Sequence, residues 1–255
     1  MTPERFAAFI DRLAARARDA PDVVGLVGFG STADRARADH GSDHDFAWLV
    51  HPGAADTYRY DLSWLPDAER IAASAVEHHG GVKVIYDDGH RLEFGISDVA
   101  GFSTWAGAPA HVIVGDAAVH AAAAQVTRNR PEGTVDPARE LTLFLTQLLS
   151  GVGRVRRGEV QSASGLIRGE AVTHLLRAAA ALRAPDDPRL DPLDPRRRID
   201  VVLPALTARV EAACRLELLA CAGGLLRIAE QEFRPDPAYP AGGFAAARQR
   251  LGDGG

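Results

Sequence analysis

Two aspartates one residue apart, Asp43 and Asp45, are the residues whose types and spacing most directly indicate chemistry. They open the apolar run "HDFAWLV" at 44–50, which is typical of a buried strand. Alternate side chains of a strand share a face, so both carboxylates are expected on one side. Two neighbouring carboxylates repel each other, and a divalent cation is the usual partner that keeps both ionised. The pair therefore predicts a Mg²⁺ site that retains positions for substrate phosphates.

The glycine-containing loop "GFGSTA" at 28–33, just before the aspartates, admits two interpretations. A dinucleotide-binding fold would need a following βαβ unit and an acid at the end of the second strand. Here the acids stand at the start of that strand, and a hairpin pattern follows. In the other interpretation, Gly30 and Ser31 lie where a strand gives way to a helical turn, so backbone N–H groups can point at phosphate oxygens. The second interpretation fits the order of the residues better.

A third acid, Glu93, belongs to the strand pattern "RLEFGIS" at 91–97. Leu92, Phe94 and Ile96 alternate and define the buried face. Glu93 is therefore expected on the opposite face, beside Gly95, where the missing side chain would leave room for a ligand. This strand can thus bring a third carboxylate to the aspartate pair.

The partner of that strand is "VKVIY" at 82–86, and Asp88-Gly89 between them is a favoured two-residue hairpin turn. If this dipeptide alone forms the turn, Val84 faces Glu93 and Lys83 faces Phe94. That register predicts that Lys83 lies on the wrong side of the sheet to reach the phosphates.

The elements needed to position these residues can be read from the periodicity. The fold class is predicted as α+β: a mixed-sheet domain followed by an α-helical bundle domain. Residues 54–79 have a mainly helical pattern. Asp136 and Pro137 are a cap and a first-turn proline, and apolar residues then recur at helical spacing. The predicted boundaries are a catalytic domain at 1–125, a helical substrate domain at 132–233, and a Pro/Gly-rich C-terminal tail at 234–255.

Composition excludes several classes of protein. The net charge of −5 argues against a nucleic-acid binder and suits a cationic small molecule. No apolar run approaches the ~20 residues that span a bilayer, so no membrane association and a cytoplasmic location are expected. Cys214 and Cys221 lie in an apolar helical pattern without a second ligand pair, which favours core positions over zinc or a disulfide.

Taken together, "GFGS", "SDHDFAWLV" and "RLEFGISD" resemble the motifs of the polymerase-β-type nucleotidyltransferase superfamily. The segment "GGVKVIYDDGHRLEFGISD", followed by a helical half that carries "GVGRVRRGE", is similar in layout to lincosamide and aminoglycoside nucleotidyltransferases. The motifs cover about residues 23 to 98. The resemblance implies transfer of a nucleoside monophosphate from an NTP, such as ATP, to a hydroxyl of a small molecule, with release of pyrophosphate.

The resemblance also implies roles for individual residues. Asp43 and Asp45 would hold one or two Mg²⁺ ions on the triphosphate, and Gly30 and Ser31 would bind its phosphates. Glu93 would be a general base on the acceptor hydroxyl or a ligand to a second metal. Ser42 is expected to brace the turn before Asp43 and can also contact phosphate. A homodimer is a further expectation.

Other polar residues have simpler interpretations beside a functional one. Strand alternation turns His44 away from the acids, which favours a structural role. Glu159 would face the acceptor or form a salt bridge at a helix end. Glu170 and His174 share a helical face, an arrangement that binds metal or stabilises the helix.

Three hypotheses of function stay open on the sequence alone. The first is an enzyme that nucleotidylates a small hydroxylated molecule, such as an aminoglycoside or lincosamide antibiotic. The second is nucleotidylation of a protein partner, as in small antitoxin relatives. The third is a non-catalytic nucleotide-binding module on the same fold.

Overall fold

The computed structural model describes residues 2–107, 109–129, 135–185, 187–191 and 193–252. Contacts within the chain divide it into two units, Met1–Pro131 and Glu132–Gly255. The first unit is a mixed sheet with helices, and the second is helical, so the chain is α+β. Within the described ranges, no helix combines the length and apolar character needed to cross a membrane.

The first unit is built on six strands in the order β3-β4-β5-β2-β1-β6. The β2–β5 pair is parallel and the other four pairs are antiparallel. The strands are β1 (Val23–Phe29), β2 (His44–Val50), β3 (Ile71–Val76), β4 (Val82–Tyr86), β5 (Arg91–Ser97) and β6 (Ala110–Gly115). The helices are α1 (Pro3–Asp19), α2 (Gly30–Ala33), α3 (Ala55–Tyr60), α4 (Val99–Ser103) and α5 (Ala117–Arg128), with 3₁₀ turns at Arg35–Arg37 and Ala68–Arg70.

Helix α1 covers one face of the sheet, which we call the α1 face. The helix begins at Pro3, and the Thr2 hydroxyl caps it by accepting from the Arg5 amide at 3.4 Å. Its apolar stripe packs on inward-facing strand residues, and each fully buried large side chain contributes about 1.5–3 kcal/mol. The α1 face comprises Phe9, Leu13, Ala14 and Ala17 of the helix with Leu26, Phe46, Trp48, Val50, Val82, Val84, Tyr86, Leu92, Phe94 and Ile96 of the strands.

The opposite face, called the α5 face, is covered only in part. Helices α4 and α5 pack on the middle of β1 and β2, where alternation turns small and branched residues toward them. This cluster contains Val27, Ala47, Leu49, Phe102, Val119, Ala122, Ala123 and Val126. Toward β4 and the start of β5, the same face is polar and solvent-accessible: Lys83 is half-buried and Glu93 exposed.

The β4–β5 hairpin differs from the predicted register by one residue. Ile85 pairs with Arg91, and the Tyr86 amide donates to the His90 carbonyl at 2.8 Å, so the loop has three residues, 87–89. Gly89 takes the left-handed position with φ +81°, the geometry of a three-residue hairpin loop. Asp88 stabilises this loop by accepting the His90 amide at 3.1 Å. A shift of one residue reverses which face each side chain occupies, so the predicted Val84–Glu93 pairing is wrong.

Residues 71–76 also differ from the prediction, which placed them in a mainly helical stretch. They form the edge strand β3, paired with β4 from Ile71 opposite Tyr86 to Val76 opposite Val82. The segment "IAASAV" is rich in alanine, and most of it is exposed. It therefore lacks the apolar alternation that marks a strand, and pairing with β4 decides its conformation.

The second unit is a set of helices around an apolar core. Helix α6 begins at Pro137 with the Asp136 carboxylate accepting the Ala138 amide at 3.0 Å, as the cap and first-turn proline predict. The elements are α6 (Pro137–Arg156), α7 (Val160–Ser164), a π-helical stretch (Gly165–Ala171), α8 (Val172–Arg183), α9 (Ile199–Val202), α10 (Pro204–Cys214), α11 (Leu218–Phe233) and α12 (Ala241–Gly252).

The C-terminal segment, predicted to be a Pro/Gly-rich tail, contains a further helix. Residues 241–252 form α12, although the segment begins Ala-Gly-Gly. Phe244 and Ala247 are fully buried in the helical core, and the Phe244 ring stacks on Tyr239 at 4.4 Å between centroids. Burial of this aromatic side chain offsets the weak helix propensity of the glycines, which composition alone does not reveal.

Candidate active site

The predicted acids lie on neighbouring strands of the α5 face. Asp45 on β2 is the register partner of Glu93 on β5, and on its other side it pairs with Phe29 of β1. Leu92 and Phe94 are buried on the α1 face, whereas Glu93 is about half exposed. The predicted face of Glu93 is therefore confirmed, and the parallel β2–β5 pairing puts its backbone directly beside that of Asp45.

Lys83, contrary to the prediction, lies on the same face as Asp45 and Glu93, in one row across β2, β5 and β4. It is the register partner of Glu93 on β4, and its Nζ lies 2.6 Å from Glu93 Oε2 and 3.7 Å from Glu77 Oε2. The hydrogen bond to Glu93 raises the pKa of Lys83, and the negative charges of Glu93, Glu77 and Asp45 add to the effect. The three-residue loop of the hairpin is the physical reason, because it turns Lys83 onto the face of the acids.

Asp43 is the acid farthest toward the start of β2, and Arg91 accompanies it. The Arg91 guanidinium lies 3.6 Å from Asp43 Oδ2 and also donates to the Gly41 carbonyl at 3.1 Å. The Asp43 side chain is about one-third exposed. Glu93 and Asp43 thus each have one basic side chain beside them, Lys83 and Arg91 respectively.

Helix α2 brings the glycine loop against the aspartates. Gly30 has φ +52°, and a Cβ there would lie 3.3 Å from Asp45 Oδ2, so glycine permits a close approach at this point. The Ser31 hydroxyl donates to the Asp43 carbonyl at 3.4 Å, and the Asp45 amide donates to the Thr32 hydroxyl at 3.0 Å. The loop and the start of β2 are therefore one connected structure. Phosphate binding by Gly30 and Ser31 stays a prediction.

Ser42 braces the loop before Asp43. Its hydroxyl donates to Asp39 Oδ1 at 3.0 Å and accepts the Asp39 amide at 2.9 Å. These contacts and the Gly41 amide lower the pKa of Asp39. The bracing role expected for Ser42 is confirmed, and contact with a phosphate remains a prediction.

His44, between the two aspartates, points into the α1 face. It is fully buried, stacks on Phe6, and contacts His90 through Nδ1···Nε2 at 2.7 Å and the Phe6 carbonyl through Nε2 at 3.1 Å. A carbonyl only accepts, so His44 Nε2 carries the proton and His44 Nδ1 accepts from His90 Nε2. Burial lowers the pKa of His44 to about 3 and that of His90 to about 4. The structural role expected for His44 is confirmed.

Gly95 does not leave room for a ligand, so that prediction is wrong. A Cβ at Gly95 would lie 2.2 Å from the Trp105 ring, which occupies the space above the strand. The indole therefore covers the α5 face immediately beyond Glu93. Glycine is needed here to admit an aromatic ring of the protein itself.

The donor chemistry of the site suits Mg²⁺, which prefers carboxylate oxygens. Among the described residues, however, no three His, Cys, Asp or Glu side chains converge closely enough to hold a metal ion together. The salt bridges of Lys83 and Arg91 give a physical reason, since both cations hold the carboxylates they contact. In the part of the site that the structure describes, the carboxylates of Asp43, Asp45, Glu77 and Glu93 outnumber these two cations.

A cavity of about 580 Å³ lies away from the acids, beside α1. Arg18, Arg35 and Asp11 are among the residues that line it, and the Arg35 guanidinium lies 2.8 Å from Asp11 Oδ1. Its wall includes Thr32 of α2, the residue that accepts the Asp45 amide. The full lining is Asp11, Ala14, Arg18, Thr32, Ala33, Arg35, His111, Val112 and Ile113.

Two of the candidates in the helical unit, Glu159 and His174, have structural partners. Glu159 forms salt bridges with Arg154 and Arg157, the helix-end arrangement, and these lower its pKa. His174 contacts buried Glu140 at 2.7 Å. Its partner is therefore on α6 rather than the residue one turn away on its own helix.

The two cysteines of the helical unit are both free thiols, and Cys221 is buried as expected. A hydrogen bond with the Cys221 thiol lowers the pKa of Cys214.

Sequence reasoning missed the two cations and His90. Lys83 and Arg91 each alternate with apolar residues of their strands, as expected of strand residues. The length of the hairpin loop, however, decides which face of the sheet Lys83 occupies. The signal was present in "YDDGH", where Asp88 two residues before His90 favours a local turn that accepts the His90 amide. A three-residue loop ending in glycine is the second common hairpin class.

No protein-family model matches the chain, and no curated protein is significantly similar to it in sequence. Among solved structures, an aminoglycoside 6-adenyltransferase from Bacillus subtilis aligns with 95% of this chain and 96% of its own, at 11% identity and a TM-score of 0.33. It is named as an adenyltransferase, the enzyme class that the sequence motifs resemble. A likeness at this identity and TM-score carries no argument about activity, so function must be argued from the residues of the site.

Proposed function

We propose that the chain is a Mg²⁺-dependent nucleotidyltransferase that moves a nucleoside monophosphate from an NTP, such as ATP, to a hydroxyl of a small molecule. The observation that carries the proposal is the placement of Asp43, Asp45 and Glu93 on the open part of one sheet face, with Gly30 against Asp45. Carboxylates on two adjacent strands next to a narrow glycine turn can position a triphosphate and an acceptor side by side. Phosphoryl-type transfer needs little more than this positioning and charge neutralisation.

Each residue then has a defined task. Asp43 and Asp45 would hold the Mg²⁺, which when bound neutralises the triphosphate and favours loss of pyrophosphate. Gly30, having no Cβ, lets a phosphate approach Asp45, and Ser31 and Thr32 keep the turn fixed to β2. Glu93 accepts a hydrogen bond from the acceptor hydroxyl and takes its proton as the oxygen attacks the α-phosphorus. One P–O bond forms to the acceptor, and the bond to the departing pyrophosphate breaks.

The acceptor we propose is a cationic, hydroxyl-bearing small molecule of the aminoglycoside or lincosamide kind. The support is electrostatic: the described carboxylates of the site outnumber its described cations, and the whole chain carries a net charge of −5. An acidic surface raises the local concentration of cationic ligands.

The test is mass spectrometry of an antibiotic library incubated with the purified chain, Mg²⁺ and each of the four NTPs. We expect an acceptor whose mass increases by one nucleoside monophosphate, with one equivalent of pyrophosphate. Asp43→Asn and Asp45→Asn should each abolish the product while the protein stays folded. Asp87→Asn, an exposed acid in the hairpin loop, is the matched control and should retain activity.

Three results would contradict the proposal. Full activity of either purified aspartate variant would remove the assigned metal ligands from the mechanism. Tight binding of ATP and Mg²⁺ without turnover on any acceptor would favour a non-catalytic nucleotide-binding module. A nucleotide adduct found only on a protein would instead make a protein partner the acceptor.

A further inference from the structure

Lys83 is the only lysine of the chain, and its ammonium group is placed among acids. It lies on β4, directly across from Glu93, which in turn lies directly across from Asp45 on β2. Its Nζ contacts Glu93 Oε2 at 2.6 Å and lies 3.7 Å from Glu77 Oε2. One cation therefore sits at the outer end of a row of carboxylates on the open face.

Carboxylates grouped on a sheet face repel one another, and a cation between them offsets that repulsion. In a site with two divalent ions, a third acid is paired by the second ion. Here Lys83 supplies that charge to Glu93 and Glu77, and Arg91 is beside Asp43. Glu93 thus has a cation of the protein itself in hydrogen-bond contact, in the role that a second metal ion would otherwise fill.

We infer that Lys83 is a built-in counter-ion for Glu93, so that this site binds one divalent cation, through Asp43 and Asp45, and Glu93 is not a ligand to a second. Lys83 is in this view a positioning residue. It holds the Glu93 carboxylate on the β4 side of the row, where the carboxylate remains available to an acceptor hydroxyl. The inference rests on the proposed nucleotidyl transfer, in which Glu93 acts on the acceptor hydroxyl, and adds that Glu93 does not also bind a second divalent cation.

The experiment is electron paramagnetic resonance of Mn²⁺ bound to the purified chain with α,β-methylene-ATP, a non-hydrolysable analogue. Two Mn²⁺ ions about 3.5–4 Å apart, the spacing of two-metal sites, give an exchange-coupled spectrum, whereas a single ion gives an isolated six-line spectrum. We expect the isolated spectrum from the wild type and one bound Mn²⁺ per nucleotide complex. Lys83→Gln should give the coupled spectrum and two ions, because Glu93 then lacks its cation.

Lys83→Arg is the matched control, since it keeps the charge and should keep the isolated spectrum. A purely structural role for Lys83 would not change the number of bound ions. A coupled spectrum from the wild type would overturn the inference, and so would an isolated spectrum from Lys83→Gln.

Failure of the proposed function would look different from failure of the inference. It would give no nucleotidylated product from the wild type and a Mn²⁺ signal that Asp43→Asn and Asp45→Asn leave unchanged. Two coupled ions in an enzyme that does turn over would overturn the single-cation inference alone.

Discussion

Neighbouring residues of β2 lie in opposite environments, because they point to opposite faces of the sheet. His44 points into the α1 face, where it is fully buried, stacked on Phe6 and neutral. Asp45, the next residue, points to the α5 face beside Glu93 and Gly30. The backbone alternation is the same for both, so the difference comes from what covers each face.

On the α1 face, an amphipathic helix covers the strands, and burial disfavours the charged form of any titratable group. On the α5 face, α4, α5 and Trp105 cover the strands only as far as Gly95, and the acids lie just beyond. The covered face therefore contributes most to stability, and the uncovered margin is where the proposed function places the chemistry. Substitutions on the two faces should therefore separate the two properties.

Glu93→Gln should have a large effect, and it should act on rate alone. Loss of a general base lowers kcat by about 10²–10⁴-fold. The side chain is about half exposed, so the free energy of unfolding should change by less than about 0.5 kcal/mol. Turnover of the identified acceptor and urea unfolding measure the two quantities. Glu69→Gln, on the surface of the same unit, is the control, and a wild-type rate for Glu93→Gln would contradict the assignment.

Leu13→Ala should show the opposite pattern. Leu13 is fully buried between α1 and the sheet, so its truncation should lower the free energy of unfolding by about 2–5 kcal/mol. The three tryptophans, Trp48, Trp64 and Trp105, all lie in the first unit, so their fluorescence in urea reports on that unit.

The kcat of folded Leu13→Ala protein should stay near the wild-type value, because the residue is on the α1 face. A Val76→Ala variant, in which an exposed valine of the same unit is truncated, should be nearly as stable as the wild type. If Leu13→Ala instead abolished activity without loss of stability, the division of roles between the faces would be wrong.

The buried histidine pair should make the α1 face sensitive to acid. Folding lowers the pKa of His44 to about 3 and that of His90 to about 4, whereas an unfolded histidine titrates near 6.5. The unfolded chain therefore binds more protons between these values. The stability contribution is complete above pH 6.5 and is lost as the pH falls toward 4, by up to about 1.4 kcal/mol per pH unit for each histidine.

Urea unfolding at pH 7 and pH 5, followed by tryptophan fluorescence, measures this loss. A double variant, His44→Phe with His90→Phe, lacks both titrating groups and should lose less stability over the same interval. An equal loss in the double variant would place the acid sensitivity elsewhere.

The sequence predicted what local patterns determine. The strand at 44–50, the cap and first-turn proline of α6, and the face of Glu93 follow from periodicity and capping, and the structure has them. The hairpin register did not follow, because two- and three-residue loops are both compatible with "DDG" and tertiary pairing chooses between them. For the same reason, the sequence did not reveal that Lys83 lies on the face of the acids, where it forms a salt bridge with Glu93.

The remaining errors have one cause, which is tertiary contact with other parts of the chain. Trp105 fills the space above Gly95, pairing with β4 makes a strand of residues 71–76, and Phe144 of α6 lies beside Phe244 of α12 with ring centroids 6.2 Å apart. None of these partners is adjacent in sequence to the residue whose conformation it determines. Local propensity is a weak guide wherever such tertiary contacts decide the outcome.

Gly30→Ala should have a small effect on stability, and it tests whether Gly30 belongs to the proposed nucleotide site. Gly30 has φ +52°, a conformation that costs a residue with a Cβ about 1 kcal/mol. Its Cβ would also lie 3.3 Å from Asp45 Oδ2, in the space that a phosphate is proposed to use. Gly53→Ala is the matched control, because Gly53 has φ +89° and a Cβ there would meet no atom of the described residues within 4 Å. Both variants should lose a similar, small amount of stability, whereas only Gly30→Ala should raise KM for the nucleotide. If the two variants had the same KM, Gly30 would be needed for the turn and not for nucleotide binding.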